Sequence, residues 1–407
     1  MNTSTLPPHL DIRRHHGRQV LRDIVAPLAA VFASPPFPGM DPEYLAEGFE
    51  GGEPGAFIAY RDGRPVAYMT YVLRERDFRP TFGPFSIGCF PFRQLRLFGY
   101  AGEHHTHIPI LDAFFKSLRE DRSWHVAQFL DLPPDNPLSD YVSRGGFGGC
   151  SLTAKSYETI QLKIENNFET YLRNRFTKKT RYNLKREVRL LEDASGGQAV
   201  MQVYHSPEQV IDFLTDVERV ARCTHQWQKG FTPLRVDPLV IRKLSYLAQR
   251  KRLRGYILFI RGTPAAFCHG TIRWGELVCE VVGYDPRFAK LNPGKVLLFK
   301  IIEDLHRCHV VDGLNLQGGT AAFRQVFATT TGATVDASLY RHEPYPQFLR
   351  LLAVAAEAAY RCLRPLVRPW LPHMRRIFLR RVAASAPDVS LVFAYLSWIQ
   401  DAFLLES

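Results

Sequence analysis

Two widely separated stretches of this chain end one strand on a glycine-containing turn and begin the next at once. PGAFIAYRDGRPVAYMTYVLR (54–74) reads as two strands joined at Asp62-Gly63, and residues 253–261 and 265–273 read as a second pair around Gly262-Thr263-Pro264. Such turns between β-branched and aromatic runs mark hairpins, because glycine tolerates the positive φ that a tight turn requires. The pattern after each hairpin is the same. In the first half a strand is expected at 94–99, a helix at 110–119, a strand at 125–130 and a short helix at 138–144 that ends at Gly145-Gly146. In the second half the hairpin is preceded by a strand at 200–205, a helix opened by the capping box SPEQ (206–209) and a helix at 237–250. It is followed by a strand at 276–284, a helix at 293–308 with Pro and Gly at its start, a strand at 314–316, a helix at 320–329 and a strand at 334–340.

A chain of 407 residues is too long for one compact core. The expectation is therefore an α/β protein of the mixed-sheet, α+β kind, with two tandem lobes and a helical tail. The first lobe is expected at 1–155, the second at 156–344 and the tail at 345–407, broken by Pro365, Pro369, Pro372 and Pro387.

The formal charge of +12 is concentrated. Between Arg173 and Arg189 the segment FETYLRNRFTKKTRYNLKREVRLLE (168–192) holds eight Lys or Arg and one acid, Glu187. Residues 361–381 hold seven Arg and no acid. With both set aside, acids and bases nearly balance. This argues against a protein that coats nucleic acid and for two local surfaces that face an anion or a membrane. Asn167 can cap the first segment as a single helix, with Phe168, Leu172, Phe176, Leu184, Val188 and Leu191 as its apolar stripe and Gly196-Gly197 as its end.

Seven cysteines occur without a C-x-x-C pair, which disfavours a disulfide scaffold or a structural zinc site and fits a reducing cytoplasm. Cys268 and Cys279 read as small core residues. His104-His105-x-His107 has the look of a metal cluster, but adjacent side chains diverge in an extended loop, so no metal is expected. Residues 24–34 are apolar, yet they start late and follow Asp11 and Asp23, unlike a signal peptide. The longest apolar run, 389–399, is too short to span a membrane.

Three stretches resemble the GNAT acyltransferase superfamily, and within it the double-GNAT group of CelD-like and Fem-type proteins. They are F168-x-x-Y171-L172 followed by K178-K179-x-R181-x-N183-L184-K185-R186; Tyr284 with N292-P293-G294-x-x-L297-L298; and Gly318-Gly319 with Phe323-Arg324, where relatives tend to carry Tyr-Lys. The likeness covers about residues 40–342 and implies an acyl thioester, acyl-CoA or acetyl-CoA, as co-substrate. It implies two splayed parallel strands, 276–284 and 314–316, whose free edge bonds a pantetheine arm, and a pyrophosphate at the amino end of the helix at 293. Pro293 removes a donor there, Gly294 admits a ligand to the backbone and Lys295 adds charge. The usual R/Q-x-x-G-x-G/A loop is reduced to Gly294. Val282, Asn292, Gly294, Lys295, Val296 and Arg324 are thus expected at the donor. The first lobe, with Gly99-Tyr100-Ala101-Gly102 and no basic loop residue, is expected to form one wall of a site between lobes and to bind no cofactor.

Transfer to an amine needs a base, oxyanion donors and a proton for the thiolate. Glu276, Val278, Glu280, Val282 and Tyr284 alternate onto one strand face. Glu280 reads as the base, or equally as the structural partner of a buried Arg. His269 on the neighbouring strand reads as its helper or as a core residue, and Tyr284 as the thiolate's acid or as packing. Phe323 lacks the hydroxyl of its counterpart in the family. Lys178, Lys179, Arg181, Arg222 and Trp227 are candidates for substrate contact; the alternatives are a solvated basic face and a surface loop at 222–231 anchored by Trp227. The expected function is transfer of an acyl group, acetyl foremost, to an amine acceptor in cell-envelope polysaccharide or lipid assembly, in the cytoplasm or on the inner membrane face. Partners in that reading include an acyl-carrier protein and, for the Arg-rich tail, an anionic membrane or the second lobe. The alternatives are a Fem-type transferase using aminoacyl-tRNA, the one case that involves nucleic acid, and a silent binding module.

Overall fold

The computed structural model describes residues 10–367 apart from 33–34, 36, 83–84, 87, 103–106, 134–135, 146–148, 166, 198–199, 225–226, 228–233 and 318–321. The chain divides into two compact units. The first holds 1–35, 39–156 and 334–406, and the second holds 36–38 and 157–333.

In the first unit the strands are β1 (Leu10–His16), β2 (Glu53–Arg61), β3 (Arg64–Phe78), the short pair β4 (Thr81–Phe82) and β5 (Phe85–Ser86), β6 (Phe90–Gly102), β7 (Val126–Leu132) and β14 (Thr330–Arg341, residues 334–341 here). Its sheet runs β1-β2-β3-β6-β7-β14. The β2–β3 turn places Asp62 at φ 51° and Gly63 at φ 78°, the conformation that the Asp-Gly signal predicts. Helices α1 (Arg18–Ala29), α2 (Pro42–Ala46), α3 (His107–Glu120) and α4 (Pro137–Arg144) belong to this unit. Strand β6 pairs in parallel with β7, and α3 is the crossover between them. Ile110, Leu111, Phe114, Phe115 and Leu118 recur at helical spacing on α3 and bury against Phe57, Tyr71 and Phe129 of the sheet. Residues 334–344, taken with the second lobe in the sequence, group with this unit, where β14 pairs antiparallel with β7.

The tail starts as α11 (Pro344–Val367). Its first turn packs on this same unit: the Tyr345 hydroxyl donates to the Pro91 carbonyl at 2.7 Å, and Phe348 meets Phe90 edge-on at 5.4 Å. The sequence offered the second lobe as one packing partner of the tail; the contacts of its first turn are with the first unit. Arg368, Arg375, Arg376, Arg380 and Arg381 lie outside the described residues.

The second unit repeats the plan. Its strands are β8 (Cys150–Lys163, residues 157–163 here), β9 (Val200–Tyr204), β10 (Leu253–Ile260), β11 (Thr263–Arg273), β12 (Glu276–Tyr284) and β13 (Gly313–Asn315). The order is β8-β13-β12-β11-β10-β9. Again a hairpin leads into a strand, and a helix crosses over to a parallel neighbour, here β12 to β13. The helices are α5 (Phe168–Arg175), α6 (Lys178–Ala194), α7 (Val210–Ala221), α8 (Pro238–Gln249), α9 (Pro293–Cys308) and α10 (Ala322–Phe327). Leu172, Leu184 and Leu191 of α5 and α6 share one core with Val296, Ile301, Ile302 and Leu305 of α9 and with Cys268, Leu277 and Cys279 of the sheet. Cys268 and Cys279 are buried thiols, the first donating to the second at 3.4 Å. A polar knot lies at the other end of α9. Buried Asp304 accepts from Arg254 at 2.6 Å and from the Tyr256 hydroxyl at 3.2 Å.

The basic segment is two helices rather than one. Phe176 and Thr177 are extended, and Thr177 caps α6 by accepting from the Thr180 N–H at 3.2 Å.

Candidate functional site

The β12–β13 pairing is short. Glu276 faces Gly313, Leu277 faces Leu314 and Val278 faces Asn315, and there it stops. The cause is local. The Asn315 Oδ1 accepts the Gln317 N–H at 2.8 Å, an Asx-turn that swings the chain, while its Nδ2 donates to Glu276 at 3.3 Å. Beyond it Leu316 donates to the Ile160 carbonyl and Gln317 accepts from the Ile160 N–H, so the chain follows β8 instead of β12. Residues 279–284 of β12 keep β11 on one side and, among the described residues, have no strand on the other. Asn315 was not anticipated from the sequence; an Asn ending a short strand was its only signal.

The other edge of β12 carries a bulge. His269 pairs with Val281 and Gly270 with Cys279, which leaves Glu280 as the extra residue. A bulge shifts the alternation by one. Leu277, Cys279 and then Val282 turn toward the core shared with α9, and Tyr284 lies against the start of α9. Glu280 turns the other way, to Arg273 and His269. The expectation that Glu276, Val278, Glu280, Val282 and Tyr284 share one face is corrected accordingly: Glu280 lies on one face of the gap, and Val282 with Tyr284 on the other.

On the first face the half-buried Glu280 carboxylate is held by the Arg273 guanidinium, the arginine partner that the sequence left as an alternative. Arg273 in turn covers the Phe37 ring at 5.0 Å. The His269 Nε2 is 3.9 Å from Glu280, beyond hydrogen-bond reach, and the ring meets Phe213 edge-on at 6.2 Å. Burial pushes the His269 pKa down to about 3, with Lys243 and Arg273 adding to the effect, so the imidazole is neutral at physiological pH. Its Nδ1 is buried without a hydrogen-bond partner among the described residues.

On the second face α9 starts at Pro293. Asn292 is left-handed, φ 49°, and its side chain makes no capping bond. The Asn292 carbonyl accepts both the Lys295 and the Val296 N–H at 3.1 Å, while the Gly294 N–H has no acceptor among the described residues. A Cβ at Gly294 would meet only the Tyr284 ring, at 3.8 Å. Backbone and space thus suit a phosphate or the end of a pantetheine arm. The cation of this first turn is not free for a ligand, because the Lys295 ammonium is bound to Glu187 of α6 at 2.9 Å. Val296 is buried in the core and offers no side chain to a ligand.

Lys178, Lys179, Arg186 and Arg189 of α6 are exposed and have no partner among the described residues, and Lys185 pairs with Glu169 at 2.9 Å. Arg181 is half-buried, its guanidinium on the Phe176 carbonyl at 3.4 Å. No acid occupies the first turn. Cations there oppose the helix dipole at a cost of roughly 0.3–1 kcal/mol each, so this arrangement is not one that helix stability selects. Arg222 is bound to Glu218 at 2.6 Å and lies over Trp227 at 5.8 Å. Those two candidates therefore form one cluster, and 225–226 and 228–231 of that loop are outside the described residues. So are Gly318-Gly319, His104 and His105, and the side chains of His107, Phe323 and Arg324. Among the described residues no group of His, Cys, Asp and Glu could hold a metal, and no helix is long and apolar enough to cross a membrane.

Residues 178–325 match the family model of the acetyltransferase (GNAT) domain, and this segment contains both faces of the gap. Solved structures similar to the chain include FemX, with TM-score 0.49 and 10% identity over 73% of this chain and 90% of that one. Another is the C-terminal domain of a putative lysylphosphatidylglycerol synthetase from Agrobacterium fabrum, with TM-score 0.46 and 14% identity over 71% and 85%. A third is a tandem GNAT protein from the clavulanic acid biosynthesis pathway, with TM-score 0.42 and 11% identity over 81% and 98%. No match was found among curated proteins.

Proposed function

We propose that this chain, which carries a GNAT acetyltransferase domain at residues 178–325, moves an acyl group from a pantetheine thioester to an amine. The observation that carries the reading is the end of β12–β13 pairing at Val278 and Asn315, together with a helix start that the Asn292 side chain does not cap.

The two faces of the gap divide the work. The thioester arm lies along the open edge of β12 on the Val282–Tyr284 face, with its phosphate at the Gly294 N–H. The amine approaches from the Glu280 face. Its nitrogen attacks the thioester carbonyl carbon, and the charge that develops on the carbonyl oxygen is held by a backbone N–H of the open edge. Glu280 accepts the ammonium proton, directly or through a water, with Arg273 holding its carboxylate in place. The carbon–sulfur bond then breaks and the sulfur takes the proton back from Glu280 through a water, which restores the base; Tyr284, 45% exposed beside Gly294, stands at the phosphate end of the arm and not at its sulfur. The products are an amide and a free thiol. His269, being neutral, adds no charge to this site.

Thiol release tests the reading. The full chain, given acetyl- and octanoyl-CoA with a panel of amino sugars and polyamines, should release free thiol in step with amide. Thioester binding without release favours the silent binding module, and neither binding nor release removes the proposal. The finer expectation, a role in envelope polysaccharide or lipid assembly, belongs to the acceptor, and the amino-sugar arm of the panel addresses it.

A further inference from the structure

We propose that the exposed stripe of α6 docks an acidic carrier protein, which delivers the acyl group on its phosphopantetheine arm. This rests on the acyltransferase reading above.

Lys178, Tyr182, Lys185, Arg186 and Arg189 fall at i, i+4, i+7, i+8 and i+11, one face of a helix. The opposite face is the one that buries Leu184 and Leu191. Tyr182, at the middle of the stripe, is 65% exposed, among cations of which three have no acid partner among the described residues. An exposed aromatic ringed by unpaired bases is the composition of a protein interface, with an apolar anchor and a charged rim.

The stripe also stands in register with the donor site. Lys295 of α9 meets Glu187 of α6, and Lys300 meets Glu192, so the two helices run side by side in the same direction. Helix α6 starts well before Glu187 while α9 starts just before Lys295, so the amino end of α6 overhangs that of α9 by roughly 10 Å. Lys178 and Tyr182 therefore lie beyond the helix start that receives the phosphate.

The donor site itself favours a carrier over free CoA. With Lys295 paired and the Lys295 and Val296 N–H groups already bonded, the first turn of α9 keeps the Gly294 N–H as its donor without an acceptor among the described residues. That suits the single phosphodiester of a carrier's arm better than the pyrophosphate and third phosphate of CoA. The affinity lost there is supplied by the stripe. It is about 16 Å long and one helix wide, the dimensions of one acidic helix laid along it. A folded RNA would call for basic residues over a broader surface, and outside the two basic segments this chain is close to neutral.

The test gives the full chain the same octanoyl group on free CoA, on a phosphopantetheinylated acidic acyl-carrier protein and, in a third arm, an aminoacyl-tRNA. The carrier-borne thioester should show a KM about tenfold or more below that of octanoyl-CoA, and the advantage should vanish as salt rises from about 0.05 to 0.5 M. Arg186→Glu with Arg189→Glu should raise the carrier KM about tenfold more than the CoA KM, and Tyr182→Ala should do so to a smaller degree. Equal KM values for carrier and CoA, or charge reversal that moves both alike, overturn the inference and leave the acyltransferase reading standing. Transfer from aminoacyl-tRNA alone overturns it in favour of a nucleic-acid surface. Failure of every thioester removes the function proposed above as well.

Discussion

The Lys295 ammonium on α9 lies 2.9 Å from the Glu187 carboxylate on α6, so the cation in the first turn of α9 is committed within the protein. Both side chains are more than a quarter exposed, so the pair is worth under about 1 kcal/mol of stability. Its consequence concerns the ligand. Glu187→Gln should free the ammonium for phosphate and lower the KM for acyl-CoA about threefold or more, with Tm nearly unchanged. Steady-state thiol release measures the first and a thermal melt the second. A KM that stays put or rises would show that Lys295 does not limit the affinity for CoA.

Glu280 is the extra residue of a bulge and is aimed at the acceptor face. Glu280→Gln should keep the side-chain volume and lower kcat by about 10²–10⁴, with donor affinity within about twofold. Arg273→Lys should do less, because a cation remains beside the carboxylate. Unchanged kcat in the Gln variant would take Glu280 out of the mechanism.

His269 ties stability to pH. Its pKa is pushed down from 6.5 in the unfolded chain to about 3 in the fold, chiefly by burial. Between those values the unfolded chain holds a proton that the native state refuses. Its contribution is therefore fully present above pH 6.5 and is lost as pH falls toward 3, with a slope of at most about 1.4 kcal/mol per pH unit. His269→Gln, neutral throughout, should flatten the fall in urea midpoint between pH 7 and pH 5. Identical slopes in the two proteins would mean that another group titrates.

Asp304 is 4% exposed and holds the Arg254 guanidinium at 2.6 Å. Asp304→Asn leaves that cation buried without its counter-charge and should cost about 3–5 kcal/mol, read from urea unfolding monitored by tryptophan fluorescence. Asp304→Asn with Arg254→Met should recover much of the loss, since removing both partners leaves no buried charge.

Both hairpins were legible because Asp62-Gly63 and Gly262-Thr263-Pro264 name their turns, and α9 was legible from its Pro-Gly start. Strand β1 was not: LDIRRHH alternates apolar with polar only at Leu10 and Ile12. The break between α5 and α6 was written in Thr177 and Thr180, a capping spacing hidden inside a run of helix formers. The site was legible as a list of residues but not as a geometry. In ELVCEVVGY both parities are mostly apolar, so nothing in the residue types reveals a bulge at Glu280 or the change of face that follows it. The pairing Lys295–Glu187 joins helices far apart in sequence, which no local pattern announces, and Glu280–Arg273, although it spans only one strand turn, depends on the face that the bulge gives to Glu280.

A titration of a non-cleavable octanoyl thioether of 4′-phosphopantetheine into the full chain, followed by calorimetry, probes the open edge and the helix start without CoA's extra phosphates or a carrier. The native protein should bind about one equivalent, and Gly294→Asp, which sets a carboxylate where the phosphate belongs, should abolish binding while the fold persists. No heat with the native protein, or equal heat with both, would contradict a donor site between β12 and α9.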